Sequence, residues 1–121
     1  MLELQQKLEA LGHTCYLPIK VEGVNYWATD STARIQAKAN KDLISEHFKK
    51  IQDSDAILVA NYTKHEIVNY IGANTFLEIG FTHFIEKKIF ILNPLPDQPY
   101  INEELASMQL IILRGRLENI Q

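Results

Sequence analysis

The sequence predicts an α/β domain: a doubly wound parallel sheet of about four strands, with helices on both faces making three layers. Three observations carry this. Residues 56–60 (AILVA) and 89–92 (IFIL) are apolar at every position, the pattern of strands covered on both faces. Segments with apolar residues at helical spacing alternate with those runs. The stretch 61–94 (NYTKHEIVNYIGANTFLEIGFTHFIEKKIFILNP) reads as strand end, polar loop, glycine turn, amphipathic helix and buried strand, the unit from which such sheets are built.

In chain order, Met1, Leu4, Leu8 and Leu11 recur at helical spacing and Gly12 follows as a stop, so residues 2–11 form an amphipathic helix. His13 is read as a solvent-facing residue just past its end. Residues 14–18 (TCYLP) form a short strand closed by proline. Residues 19–30 have no clear period; within them Tyr26 and Trp27 either stack on a flat ligand or close over the core. Asp30 or Ser31 caps a helix that ends about residue 52. Its best apolar stripe is Ile44, Phe48 and Ile51, and His47, bordering that stripe, is read as packing. Residues 53–55 turn into the 56–60 strand, and a helix from about residue 75 to 86 precedes the 89–92 strand. Asn102 caps a short helix over 102–108, residues 110–113 are the last strand, and 114–121 read as a polar tail.

One domain is the natural count for 121 residues. With 46% apolar and 22% charged residues the composition is that of an ordinary globular protein. The net charge is −3 and the basic residues are scattered, which argues against a nucleic-acid polymer or a membrane surface as partner. The apolar runs are far too short to cross a bilayer, and no secretion signal is read at the start of the chain. A single cysteine, Cys15, allows no internal disulfide and is read as a buried, inert thiol. A cytoplasmic location is expected.

Ligands of open parallel sheets bind beyond the carboxyl ends of the strands, here Pro18, Asn61, Asn93 and Arg114. The Gly72 turn and the helix start at Asn74 and Thr75 lie on the same rim, where free backbone N–H groups favour an anion or a polarised hydroxyl. Glu78 falls in the first turn of a helix beginning at Thr75, and two readings follow. In one, Thr75-x-x-Glu78 is a capping box and the acid is structural. In the other, the helix dipole keeps Glu78 ionised in the cleft, where it attacks or stabilises an electron-poor carbon, as in glycosyl transfer. His65, His83, Glu66 and Glu78 lack metal-ligand spacing, His83 lying about 140° round the helix from Glu78. There is no phosphate-loop lysine and no dinucleotide fingerprint, so no metal or other cofactor is implied.

Residues 55–61 (DAILVAN), 70–80 (YIGANTFLEIG) and 88–94 (KIFILNP), led by 8–18 (LEALGHTCYLP), resemble the nucleoside 2-deoxyribosyltransferase-like superfamily, which includes deoxynucleoside monophosphate N-glycosidases. The most specific piece is the small-residue turn followed by Glu78-Ile79-Gly80. The resemblance implies a flavodoxin-like fold with strand order 2-1-3-4-5. It also implies that Glu78 is the nucleophile capturing the anomeric carbon as the base leaves. Asn61, Gly72, Asn74, Thr75 and Asn93 would then line the sugar side, and Tyr26 or Trp27 would stack on the base. The implied ligand is a small-molecule nucleoside or nucleotide, and the implied assembly a homodimer or larger. The chain departs from the superfamily pattern twice. Turn 71–74 has no acid, and the first strand with its glycine/serine loop is absent, so the domain reads as N-terminally short. The rival class is a nucleotide-binding or sensing module without turnover, in which Glu78 only caps its helix.

Overall fold

A computed structural model describes residues 2–15 and 43–120. Tyr26 and Trp27, the 19–30 loop, the proline end of the predicted 14–18 strand and the cap at Asp30 or Ser31 lie outside the described residues.

The first helix, α1 (Leu2–Ala10), buries Leu4 and Leu8. It stops because Gly12 turns left-handed at φ +94°. That lets the Gly12 N–H reach the Glu9 carbonyl and the His13 N–H the Leu8 carbonyl, at 3.0 and 3.1 Å. Leu11, predicted as the last residue of the stripe, falls past the helix and is exposed. Gln5 Nε2 donates to the Cys15 carbonyl at 2.9 Å, holding the following segment against α1.

Helix α2 (Leu43–Gln52) ends where the sequence places it, but its inward face is turned from the predicted one. Leu43 and Ile51 are buried, His47 and Phe48 half-buried, and Ile44 exposed. Positions 43, 47 and 51 are four apart and share a face, so His47 sits in the middle of the packed side. Lys87 Nζ donates to the Gln52 and Ser54 carbonyls, where the helix would otherwise leave acceptors unpaired.

Strands β1 (Ala56–Val59), β2 (Lys88–Ile91) and β3 (Leu110–Ile112) form a parallel sheet in the order β1-β2-β3. Ala56 pairs with Lys88, and Ile89 with Leu110. Between β1 and β2 runs helix α3 (Ala73–Phe84); between β2 and β3 runs the short α4 (Asn102–Ser107). Alternation along the strands sends side chains into two separate clusters. Phe90 and Leu92 pack with Leu4 and Leu8 of α1, with Leu58 beside them. Val59, Ile89 and Ile91 pack with Ile79 of α3 and Leu105 of α4. Central β2 is therefore buried from Ile89 to Ile91, as its unbroken apolar run requires.

The predicted polar tail is not free. Leu117, in a 3₁₀ turn at Leu117–Asn119, is buried in the α1 cluster, with Ile120 packed against it. Its apolar residues are too few and too widely spaced to announce an element from sequence.

Candidate functional site

The carboxyl rim is built where the β1–β2 ladder ends. The Leu92 N–H still donates to the Val59 carbonyl at 2.9 Å. One step further the Asn61 side chain takes over. Its Oδ1 accepts from the Asn93 N–H at 2.8 Å, and its Nδ2 donates to the Asn93 and Pro94 carbonyls, both at 3.0 Å. Asn93 Nδ2 returns a bond to the Asn61 carbonyl at 3.2 Å. Asn61 is wholly buried, at 0% exposure. Its amide thus extends the backbone pairing after the strands diverge, as a buried amide must if its polar atoms are not to be orphaned.

A second side chain performs a similar task for the turn before α3. Gln98 Oε1 accepts from the Ile71 N–H at 2.8 Å and its Nε2 donates to the Ile71 carbonyl at 3.0 Å. Gln98 is itself held because its N–H donates to Asn102 Oδ1 at 2.7 Å, while Asn102 Nδ2 donates to Asp97 Oδ1 at 3.0 Å. Asn102 therefore braces the preceding turn rather than capping α4, whose N-cap is Ile101. Along this rim lies an open groove of about 420 Å³ lined by Tyr70, Gly72, Ala73, Phe76, Gln98 and Ile101, among others.

The loop between β1 and α3 crosses the rim under backbone strain. Lys64 and Ile67 exchange backbone hydrogen bonds, and the two residues between them, His65 and Glu66, have φ of 51° and 62°. Positive φ at both central positions is the pattern of a type I′ turn, which favours Asn-Gly. Asn69 is left-handed as well. His65 meets Tyr70 edge-on, with ring centroids 5.2 Å apart.

Helix α3 begins earlier than predicted. The Phe76 N–H donates to the Gly72 carbonyl at 2.9 Å, so Ala73, Asn74 and Thr75 are already helical and Gly72 is the N-cap. Two expectations for Glu78 fall with this. It is the sixth residue of the helix and not in the first turn, beyond the range over which a helix dipole holds a carboxylate ionised. Nor do Thr75 and Glu78 form a capping box, since Thr75 is not the cap.

What surrounds Glu78 is α2. Phe81, three residues on, stacks face to face on Phe48 with centroids 4.3 Å apart. Thr82 Oγ1, four residues on, donates to the Glu78 carbonyl at 2.6 Å. The Glu78 carboxylate lies 3.9 Å from His47 Nδ1, with 27% of the Glu78 side chain and 19% of the His47 side chain exposed. That separation is an ion-pair distance and too long for a hydrogen bond. Burial pushes the Glu78 carboxyl above its ordinary value, the opposite of the dipole-ionised acid expected.

The rim thus brings together Asn61 with Asn93, and Gly72 with Tyr70 and Gln98. Asn74 is exposed and Thr75 half-exposed on the first turn of α3. Glu78 is not among the residues lining the groove, and its carboxylate faces His47 of α2 instead. Sequence reasoning missed Gln98, which carried no signal. His47, read as packing, is half-buried on the side of α2 that meets α3. Cys15 is half-buried, and burial, with Glu9 nearby, raises its thiol above the ordinary value, which disfavours the reactive thiolate.

Among the described residues no three His, Cys, Asp or Glu side chains group as metal ligands, and no helix is long and apolar enough to cross a membrane. No protein family, curated protein or solved structure matches the chain.

Proposed function

We propose that the chain cleaves or transfers the N-glycosidic bond of a (deoxy)nucleoside or nucleoside monophosphate, with Glu78 as the carboxylate that meets the sugar. The observation that carries this reading is the Glu78 environment: half-buried, raised by burial, and 3.9 Å from an imidazole nitrogen. Desolvation raises the free energy of the ionised form, which makes the carboxylate more basic. Bonding to an electron-poor carbon then removes that charge from its half-buried setting. An oxygen of Glu78 bonds to the anomeric carbon as the carbon–nitrogen bond breaks. The electron pair leaves on the base nitrogen, which takes a proton from water. A water molecule or a second base then displaces the sugar and restores the carboxylate, the proton of the incoming group passing to solvent.

In this reading Gly72, Asn74 and Thr75 serve the sugar side, Asn61 and Asn93 hold the rim in shape, and the base stacks on Tyr26 or Trp27. The three strands belong to a doubly wound, flavodoxin-like sheet of about four. Two or more copies complete the site, in a cytoplasmic setting and without a metal or redox cofactor. One observation favours a second reading, a nucleotide-binding or sensing module without turnover: Glu78 is not among the residues lining the rim groove. The two readings separate in one experiment. The protein is incubated with a panel of deoxynucleosides and their monophosphates, and free base is measured alongside ligand binding. Base release that is lost in Glu78→Gln supports the enzyme. Binding without release, unchanged by Glu78→Gln, overturns it in favour of the module.

A further inference from the structure

The contact between α2 and α3 combines two features that packing alone does not call for. The Phe48 and Phe81 rings lie almost parallel, 6° apart, and lock the helices in register. Beside that stack His47 and Glu78 face each other across 3.9 Å, both largely withdrawn from water. His47 Nε2 is buried with no hydrogen-bond partner among the described residues. An orphaned buried nitrogen costs free energy that leucine or phenylalanine at position 47 would not incur. A face shaped only for burial has no use for an imidazole there.

We infer that His47 is the positioning residue of Glu78: its Nδ1 faces the carboxylate at an ion-pair distance set by the Phe48–Phe81 stack, steadying the ionised side chain. This rests on the reading in which Glu78 is the reacting carboxylate. Withdrawal from water disfavours the charge and raises the Glu78 carboxyl above its ordinary value. The role assigned to His47 rests on its placement, 3.9 Å from the carboxylate.

The other ionisable groups on the two helices leave this role to His47. On α2, Glu46 and Lys49 are exposed and Lys50 is half-exposed. On α3, His83 is exposed. Lys87, just beyond α3, is engaged with the Gln52 and Ser54 carbonyls. Among the described residues, the ion pair made by the Glu78 carboxylate is with His47.

The test is a ¹³C NMR titration of the Glu78 carboxyl and the His47 imidazole in the intact chain, for wild type, His47→Gln and Glu78→Gln. The Glu78 midpoint is expected to move up in His47→Gln, and the His47 ring signals to lose, in Glu78→Gln, the response they show as Glu78 titrates. The reciprocal variant keeps the test alive should His47→Gln fail to fold. Where base release is measurable, the acid limb of the kcat profile moves to higher pH in His47→Gln. Rates there fall about tenfold per pH unit below the displaced midpoint, and recover towards wild type above it. A role in packing alone would not move that limb. A Glu78 midpoint unmoved in folded His47→Gln, with His47 ring signals that ignore the Glu78 titration, overturns the inference, whether or not base is released. A coupled pair with no base release from any substrate stands, and the glycosidic reading is overturned instead.

Discussion

Replacing Asn61 by alanine is expected to cost about 4 kcal/mol of folding stability, and replacing Asn93 by alanine only about 1 kcal/mol. The two asparagines look like partners in a symmetrical exchange, but their contributions are not symmetrical. Asn61 makes its bonds through the side chain: two donated at 3.0 Å and one accepted at 2.8 Å, from a residue with no exposed surface. At about 1 kcal/mol each they sum to about 3 kcal/mol, and the Asn93 N–H left without an acceptor adds about 1 kcal/mol more. Asn93 contributes mostly through its backbone, which alanine keeps; its side chain makes the single 3.2 Å bond to the Asn61 carbonyl. Urea unfolding followed by far-UV circular dichroism, with both variants at one protein concentration, measures the difference. Asn61→Asp gives an independent check. Its Oδ1 still accepts, but at neutral pH a second carboxylate oxygen replaces the amide donor and confronts two carbonyls, so it should also lose stability. Equal losses in the two alanine variants, or a cost below about 1.5 kcal/mol for Asn61→Ala, would refute the claim that this one amide continues the ladder.

Glu78→Gln should gain stability relative to wild type as pH rises. The carboxyl's folded value lies above its ordinary 4.5, so its contribution is fully present below that ordinary value and is lost as pH rises through the folded one. Urea midpoints at pH 4 and pH 7.5 should diverge in the variant's favour, and a pH-independent difference would count against burial as the cause. Gln98→Ala removes the two bonds to Ile71 and should cost about 1–2 kcal/mol, with faster hydrogen exchange at the Ile71 amide; an unchanged exchange rate would contradict the latch. Glu86, just past the Ile85 C-cap of α3, has φ +60°, its N–H bonded to the His83 carbonyl and the Lys87 N–H to the Thr82 carbonyl. Glu86→Gly should therefore stabilise the fold by about 1 kcal/mol, read as a raised Tm.

Much of the fold was legible because its signals are local. A strand covered on both faces must be apolar at every position, and residues 89–92 are. A helix with one buried side must repeat every three to four residues, and Leu4 and Leu8 do. The glycine stop at Gly12 is local as well, since only its own φ is involved. The start of α3 was ambiguous for the same reason. Gly72 and Thr75 are both acceptable caps, and the bond from the Phe76 N–H to the Gly72 carbonyl decides between them. Around the candidate site the balance reverses. Asn61 and Glu78 could be picked out as residues at a strand end and near a helix start, but not what each one touches.

Those contacts depend on distances that close only when the chain folds back. Asn61 meets Asn93 because Val59 pairs with Ile91, and that register is settled by burial along two whole strands. His47 meets Glu78 because α2 presents the face of Leu43 and Ile51 rather than that of Ile44, a rotation set by the helix it packs against. Leu117 joins the core only because α1 leaves an apolar surface for it to cover. From its residues alone the chain determined the three strands at 56–59, 88–91 and 110–112, the helices between them, and which acid stands out. Tertiary packing decided what that acid faces, because side-chain environment is a property of neighbours that sequence order does not bring together.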